Sequence, residues 1–211
     1  MKVNEIFYSI QGESTFAGLP CVFVRLTGCI LRCSYCDTKY AYEEGEEKSI
    51  DEIIKIVNSY NCNLVEITGG EPLLQSETVE LTNKLVENQK VVLVETNGSL
   101  DISVLKEPVV RIVDIKCPGS KEHQKMFWDN LRNLRPDDNV KFVLTDRYDF
   151  DWALIIVEKF ELLDKANVLF SPAFKILEPE KLSNWILKTS LPIRMQLQLH
   201  KYIWHPNKRG V

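Results

Sequence analysis

Three cysteines form the clearest chemical pattern in the chain. Cys29, Cys33 and Cys36 follow the spacing C-x3-C-x2-C. Thiolates this close together bind a small, soft metal centre, and the ordinary candidates are a zinc ion and an iron–sulfur cluster. Structural zinc takes four protein ligands, whereas three thiolates leave one corner of a 4Fe–4S cluster open. The spacing therefore predicts an open metal corner where a small molecule binds, with a zinc knot or reduced structural thiols as the alternative.

The elements that position these cysteines are predicted from the apolar pattern. Ser49 and Glu52 form a capping box ahead of a helical apolar stripe, which predicts a helix from residue 50. Short apolar runs predict strands over 3–10, 21–26, 63–68, 90–95, 111–115, 140–144, 167–170 and 193–199. Further helices are predicted over 73–88, 122–134, 150–164 and 182–188.

Strands and helices alternate along almost the whole chain. Such alternation is typical of βαβ units and a parallel sheet. About six core strands are fewer than the eight of a closed TIM barrel. We therefore predict an α/β fold, a partial and open TIM-like barrel of about six parallel strands with the helices outside. A length of 211 residues fits a single domain spanning 1–211.

Each unusual loop follows the carboxyl end of a predicted strand. These loops are Thr27 onward, 68–71, 96–98, 116–118 and 171–172. In a parallel α/β fold those ends lie on one rim, where ligands bind, so we expect the loops to meet around the cysteines. Gly69 and Gly70 would let the backbone approach a ligand closely, and Glu71 could then face a cationic amino group.

One charged residue, Arg25, interrupts the apolar run 21–26. A guanidinium in an apolar strand must meet an anion. The residues alone leave two interpretations of equal weight, an internal ion pair or the carboxylate of a substrate.

Composition excludes several classes of protein. The net charge of −4 argues against a broad nucleic-acid-binding surface. The sequence contains no apolar run of about 18 residues, so no membrane span is predicted. The start also lacks a signal-peptide core, and we therefore expect a cytoplasmic protein. The length and the missing signal also argue against a disulfide framework for the six cysteines, and Cys21 and Cys62 are expected to be buried, reduced thiols.

The cysteine spacing resembles that of the radical S-adenosylmethionine (SAM) superfamily, whose open iron binds SAM. The turn 69–72, one βα unit later, resembles the SAM amino-binding turn of that superfamily. The segment 5–13, with Ala17-Gly18 and Arg25, resembles the 7-carboxy-7-deazaguanine synthase family, as do Cys36-Asp37-Thr38, 95–98 and 198–204. The resemblance covers residues 5 to 206 and implies the radical SAM fold, with N- and C-terminal extensions that form the substrate site.

The resemblance implies a reaction and its cofactors. It is the conversion of 6-carboxy-5,6,7,8-tetrahydropterin to 7-carboxy-7-deazaguanine with release of ammonia, in the biosynthesis of 7-deazapurines such as queuosine. The implied cofactors are one 4Fe–4S cluster, SAM and Mg²⁺. The implied partners are a flavodoxin or ferredoxin as electron donor and a second copy of the chain in a homodimer.

Site residues follow from matching this sequence to the family motifs. Cluster ligands are Cys29, Cys33 and Cys36, and Thr38 is the implied magnesium ligand. Implied substrate contacts are Ile10, Gln11, Gly12, Glu13, Arg25, Thr96 and His200, the last also a possible proton relay. Implied SAM-site residues are Glu71, Gly98, Cys117, Pro118, Gly119, Ser171, Pro172, Ala173 and Phe174.

Two positions depart from the family pattern. Ser14 stands where the common motif has glycine, so that the loop is expected to differ slightly, and residues 207–211 extend beyond the point where some members end. Two rival functions also stay open. One is a glycyl-radical enzyme activase, which shares C-x3-C-x2-C, and the other is a non-catalytic iron–sulfur or zinc module.

Overall fold

The computed structural model describes residues 1–211, and all its strands join one sheet. The strands are β1 (Lys2–Ile10), β2 (Pro20–Leu26), β3 (Glu46–Glu47), β4 (Leu64–Gly69), β5 (Val91–Thr96), β6 (Val110–Lys116), β7 (Asn139–Leu144), β8 (Asn167–Pro172) and β9 (Arg194–Met195). The helices are α1 (Ile50–Ser59), α2 (Thr78–Glu87), α3 (Arg147–Lys159), α4 (Pro179–Thr189) and α5 (His200–Ile203).

The sheet is open, in the order β3-β1-β2-β4-β5-β6-β7-β8-β9. Strands β2 and β4 to β9 pair in parallel, whereas β1 is antiparallel to β2 and β3 is antiparallel to β1. Strand β9 has only two residues, so the main parallel part is β2 and β4 to β8. The predicted open barrel of about six parallel strands is therefore confirmed.

The two faces of the sheet differ because side chains alternate along each strand. On the outer face, Val65 and Ile67 of β4 pack in one apolar cluster with Ile53 and Val57 of α1. The inner face of the same strand carries Glu66. The outer face of the sheet, which the helices cover, thus forms a hydrophobic core, and the inner face carries polar groups.

Helix α1 begins as predicted, since Ser49 Oγ accepts from the Glu52 backbone N–H and the Glu52 carboxylate accepts from the Ser49 N–H. The helix predicted over 73–88 is shorter, because Pro72–Leu74 forms a 3-10 turn and α2 starts at Thr78. Helix α3 is displaced toward the N-terminus relative to 150–164, because the Asp146 side chain caps it.

The helix predicted over 122–134 is wrong. The segment forms two 3-10 turns, His123–Lys125 and Trp128–Arg132. Besides local 3-10 hydrogen bonds, the segment bonds to a distant loop: the Phe127 N–H donates to the Gly98 carbonyl (2.9 Å), and Asn130 Oδ1 accepts from the Ile102 N–H (3.0 Å). These long-range bonds replace an α-helical ladder.

The strand predicted over 193–199 is also too long, because β9 ends at Met195. Beyond it, Gln196 Nε2 donates to the Ser14 carbonyl (3.0 Å) and the Leu199 N–H donates to the Gly12 carbonyl (3.1 Å). The chain therefore leaves the sheet and packs on the N-terminal loop. No helix of the structure combines the length and the apolar character needed to cross a lipid bilayer.

Candidate active site

The carboxyl ends of the parallel strands open into one cavity of about 680 Å³. The implied site residues on its wall are Ile10, Gln11, Gly12, Glu13, Arg25, Cys29, Cys33, Cys36, Thr38, Thr96, Ala173, Phe174 and His200. The implied residues that do not line it are Glu71, Gly98, Cys117, Pro118, Gly119, Ser171 and Pro172. The tertiary structure thus joins the cysteine loop to both terminal segments, which are far apart in sequence.

The cysteine loop rests on the loop that follows β6. Ser34 is tied to it twice, since its N–H donates to the Ser120 carbonyl (3.0 Å) and its Oγ to the Gly119 carbonyl (2.7 Å). Cys117 is fully buried and packs in the same apolar cluster as Cys33. Residues 117–119, assigned by resemblance to the SAM site, do not line the cavity, and Cys117 and Gly119 contact the cysteine loop.

The three cysteines are free thiols whose surroundings fit metal-bound sulfur. Cys29 Sγ accepts from the Leu31 backbone N–H (3.4 Å) and from Asn97 Nδ2 (3.6 Å). Burial raises the pKa of Cys33 to about 11 and also raises that of Cys29. Cys29 and Cys33 are thus protonated near neutral pH, so a bound metal centre must displace the protons of these two thiols.

No three side chains among His, Cys, Asp and Glu come close enough together to hold a single metal ion. A 4Fe–4S cube takes each thiolate at a different iron, so its ligands need not converge on one point as those of zinc do. Three free cysteines on one cavity wall therefore fit a cluster better than a tetrahedral zinc site.

The glycine turn after β4 lines the cavity and packs closely against the backbone that leads into the cysteine loop. A Cβ on Gly70 would lie 2.1 Å from the Gly28 carbonyl oxygen, and one on Gly69 would lie 2.2 Å from that of Leu26. The close neighbour is the backbone that leads into the cysteine loop, and both glycines also line the cavity, so the expectation that they let backbone approach a ligand stays a prediction.

Glu71 joins two loops and does not face the cavity. Its Oε1 accepts from the Leu73 N–H (3.0 Å) and Thr96 Oγ1 (2.8 Å), and its Oε2 accepts from the Asn97 N–H (2.7 Å). Both oxygens are engaged and the side chain is fully buried. The expectation that Glu71 faces a cationic amino group is therefore not supported by its position.

Arg25 forms the internal ion pair that was one of its two interpretations. Its Nε donates to Glu5 Oε1 (2.7 Å), which also accepts from the Tyr40 hydroxyl (3.1 Å). The guanidinium carbon lies 5.7 Å from the centre of the Phe7 ring. Only Nε is hydrogen-bonded within the chain, so the two terminal nitrogens remain free for an anion in the cavity.

A network of charged side chains on the inner face of the sheet was not predicted from the sequence. Lys141 Nζ contacts Glu13 Oε2 (2.7 Å), Asp114 Oδ2 (3.3 Å) and Glu95. Glu95, Asp114 and Lys141 come from the neighbouring strands β5, β6 and β7. Glu95 and Lys141 are each the lone charged residue of an apolar strand, the same signal that singled out Arg25, whereas β6 carries Arg111 and Lys116 besides Asp114.

The network sets the charge of Glu13. Burial by itself raises the pKa of this carboxyl, but Lys141 and His200 lower it to about 2. Glu66, which accepts a hydrogen bond from the Gln11 amide, is different, because burial and the neighbouring Glu95 raise its pKa well above the usual value. Two carboxyl groups at the same wall are thus driven toward opposite protonation states.

The C-terminal segment approaches the cysteine loop through Lys201, which pairs with Asp37. Asp37 Oδ1 in turn accepts from Thr38 Oγ1 (2.9 Å). His200 lies against the N-terminal loop, where a Cβ on Gly12 would be 2.4 Å from its Nδ1. Burial lowers the pKa of His200, which favours the neutral imidazole.

The two departures from the family pattern also have defined positions. Ser14 has φ of 63°, so the serine adopts the left-handed conformation that glycine favours. Residues 206–211 form part of the cavity wall. Within that segment, Arg209 stacks 3.8 Å from the centre of the Tyr40 ring and pairs with Glu44 at 2.9 Å.

The fold and the cysteine site define the class of this protein. Residues 23–159 match the family described as the Radical SAM superfamily. The crystal structure of QueE from Escherichia coli is similar, with a TM-score of 0.77 and 21% identity over 93% of this chain and 92% of that one. The chain belongs to the radical SAM superfamily, which implies a 4Fe–4S cluster and SAM.

Relatives that align over the whole chain identify the family within this superfamily. A 7-carboxy-7-deazaguanine synthase from Chlorobaculum tepidum is 47% identical over 214 residues, covering 100% of this chain and 97% of the relative. One from Koribacter versatilis is 42% identical over 226 residues, covering 100% of both. Within the superfamily, the chain belongs to the 7-carboxy-7-deazaguanine synthases.

Proposed function

We propose that this enzyme converts 6-carboxy-5,6,7,8-tetrahydropterin to 7-carboxy-7-deazaguanine and releases ammonia, in 7-deazapurine biosynthesis. The observation that carries the proposal is the single cavity that joins the cysteine loop to the loop 10–13, Arg25 and His200. A substrate held by these residues lies beside the metal centre, which is what the reaction requires.

Cys29, Cys33 and Cys36 would hold the cluster. When bound, the cluster and SAM supply the one-electron cleavage that yields a 5′-deoxyadenosyl radical able to abstract hydrogen from the substrate. Ala173 and Phe174 would line the SAM site on the wall. The chain itself supplies position and excludes water, since such a radical attacks whatever is near it.

The pterin would be oriented by groups of opposite charge. The terminal nitrogens of Arg25 are available to its carboxylate, because only Nε is used by Glu5. Glu13 is held ionised by Lys141, so it accepts hydrogen bonds from amino groups of the pterin. Gln11, Gly12 and Thr96 add polar contacts at the same wall.

Neutral His200 is able to accept a proton released during the rearrangement. Thr38 would place its hydroxyl on Mg²⁺, a hard cation that takes few protein oxygens and prefers substrate oxygens and water. Mg²⁺ would act as a template and Lewis acid for the substrate. A flavodoxin or ferredoxin as donor, a homodimer and a cytoplasmic location belong to the same proposal.

The test is anaerobic incubation of the reconstituted enzyme with SAM, a reductant and the carboxytetrahydropterin, followed by mass analysis. We expect 7-carboxy-7-deazaguanine, ammonia and 5′-deoxyadenosine from the wild type. Cys33→Ser should abolish product, whereas Cys21→Ser, which alters a buried cysteine that does not line the cavity, should retain it. SAM cleavage without the deazaguanine would contradict the substrate and favour another radical SAM activity.

A further inference from the structure

One side chain that no proposed role uses points at a cluster ligand. Asn97 follows β5, is 7% exposed, and donates from Nδ2 to Cys29 Sγ at 3.6 Å. Sulfur is a large acceptor, so N–H···S bonds are longer than N–H···O bonds. The Leu31 backbone N–H donates to the same sulfur at 3.4 Å. Two N–H groups therefore converge on one of the three thiols.

The orientation of the Asn97 amide follows from its other contacts. Its Oδ1 accepts from the Ser99 backbone N–H (3.0 Å) and from Ser99 Oγ (2.5 Å). A backbone N–H can only donate, so the group facing Ser99 must be the carbonyl oxygen. The NH₂ group is then the one directed at Cys29.

The backbone of Asn97 is also held in place. Its N–H donates to Glu71 Oε2 at 2.7 Å, and the other oxygen of that buried carboxylate accepts from Thr96 Oγ1 at 2.8 Å. Glu71 thus fixes the turn that carries Asn97. This gives Glu71 a function consistent with its position behind the cavity wall.

We propose that Asn97 is a positioning residue for the cluster, which raises its reduction potential through the N–H···S bond to Cys29. Reduction adds one electron, and hence one negative charge, to the cluster and its thiolates. The positive end of the N–H dipole stabilises the reduced form more than the oxidised form. The inference rests on the cluster of the proposed function but not on the pterin as substrate.

The test is a reductive titration of the reconstituted protein, followed by electron paramagnetic resonance (EPR), without pterin. Asn97→Leu has a similar shape but no N–H donor. We expect about four irons per chain in both proteins, as one 4Fe–4S cluster requires. At a fixed solution potential the ratio of reduced to oxidised cluster should fall about tenfold in the variant, which corresponds to about 59 mV. Ser99→Ala is the matched control, because the backbone N–H still orients the amide, and its ratio should match the wild type.

An unchanged ratio in an iron-replete Asn97→Leu protein would overturn the proposal, even if its turnover fell. If the variant does not assemble its cluster, wild-type protein labelled with ¹⁵N at asparagine decides the matter. A ¹⁵N hyperfine coupling to the reduced cluster, measured by electron–nuclear double resonance, supports the bond, and its absence refutes it. Failure of pterin turnover affects neither readout.

Discussion

Lys141 Nζ and Glu13 Oε2 lie 2.7 Å apart, although these residues are 128 positions apart in the chain. The pair joins the N-terminal loop to the middle of the parallel sheet. Because the lysine also contacts Glu95 and Asp114, its single positive charge offsets several carboxylates at one wall of the cavity. The stability of the fold and the shape of the site therefore depend on the same contact.

We predict that Lys141→Met destabilises the protein by about 3–5 kcal/mol, because removing one member of a buried charge network leaves its partners uncompensated. Chemical denaturation measures the change. Lys84→Met is the matched control, since Lys84 is on the surface and pairs with Asp51 at 3.3 Å. Its loss should be about 0–1 kcal/mol. Equal small losses in the two variants would show that the network contributes little.

The depressed pKa of Glu13 predicts an acid-dependent stability. Its pKa is about 2 in the folded chain and about 4.3 when unfolded, so the unfolded state binds the proton first as the pH falls. The stabilisation is complete above the unfolded value and is lost between about pH 4 and pH 2. Urea denaturation across this range should show a steeper loss for the wild type than for Glu13→Gln. Parallel curves would contradict the depressed pKa.

Gly70→Ala should impair assembly of the cluster. The new Cβ would lie 2.1 Å from the Gly28 carbonyl oxygen, so the cysteine loop must move. We expect less than half of the wild-type iron after anaerobic reconstitution. Gly18→Ala is the comparison, because a Cβ there meets nothing within 4 Å, although φ is +93°. Normal iron content in Gly70→Ala would mean that the loop tolerates the displacement.

Arg25→Ala should weaken substrate binding and leave the iron content unchanged. A hydrogen bond to a charged group contributes about 1.5–3 kcal/mol, so the apparent affinity for the pterin should fall at least tenfold. Because the substitution also frees Glu5, the variant Glu5→Gln separates the two effects, since it keeps the guanidinium. Similar loss of affinity in both variants would assign the effect to the ion pair.

The core strands and helix α1 could be predicted because their signals are local. Alternating or continuous apolar residues define β4 to β8, and Ser49 with Glu52 defines the start of α1. The segment 122–134 could not be predicted, since the Phe127 N–H and the Asn130 side chain bond to the Gly98–Ile102 loop, which is a long-range pairing. Strand β9 ended early for the same kind of reason, because the chain after it packs on the loop at Gly12.

The sequence by itself determined the cysteine spacing, the alternation of strands and helices, and the expectation that strand-end loops meet at one rim. These features depend on residue type and short periodicity, which neighbouring residues carry. Only the tertiary structure decided which distant groups meet. Asp114 and Lys141 are register partners on adjacent strands, Arg25 pairs with Glu5, and Asn97 faces Cys29. Such contacts depend on which strands are neighbours in the sheet and on how those strands align, and both are fixed when the buried faces of distant segments pack together.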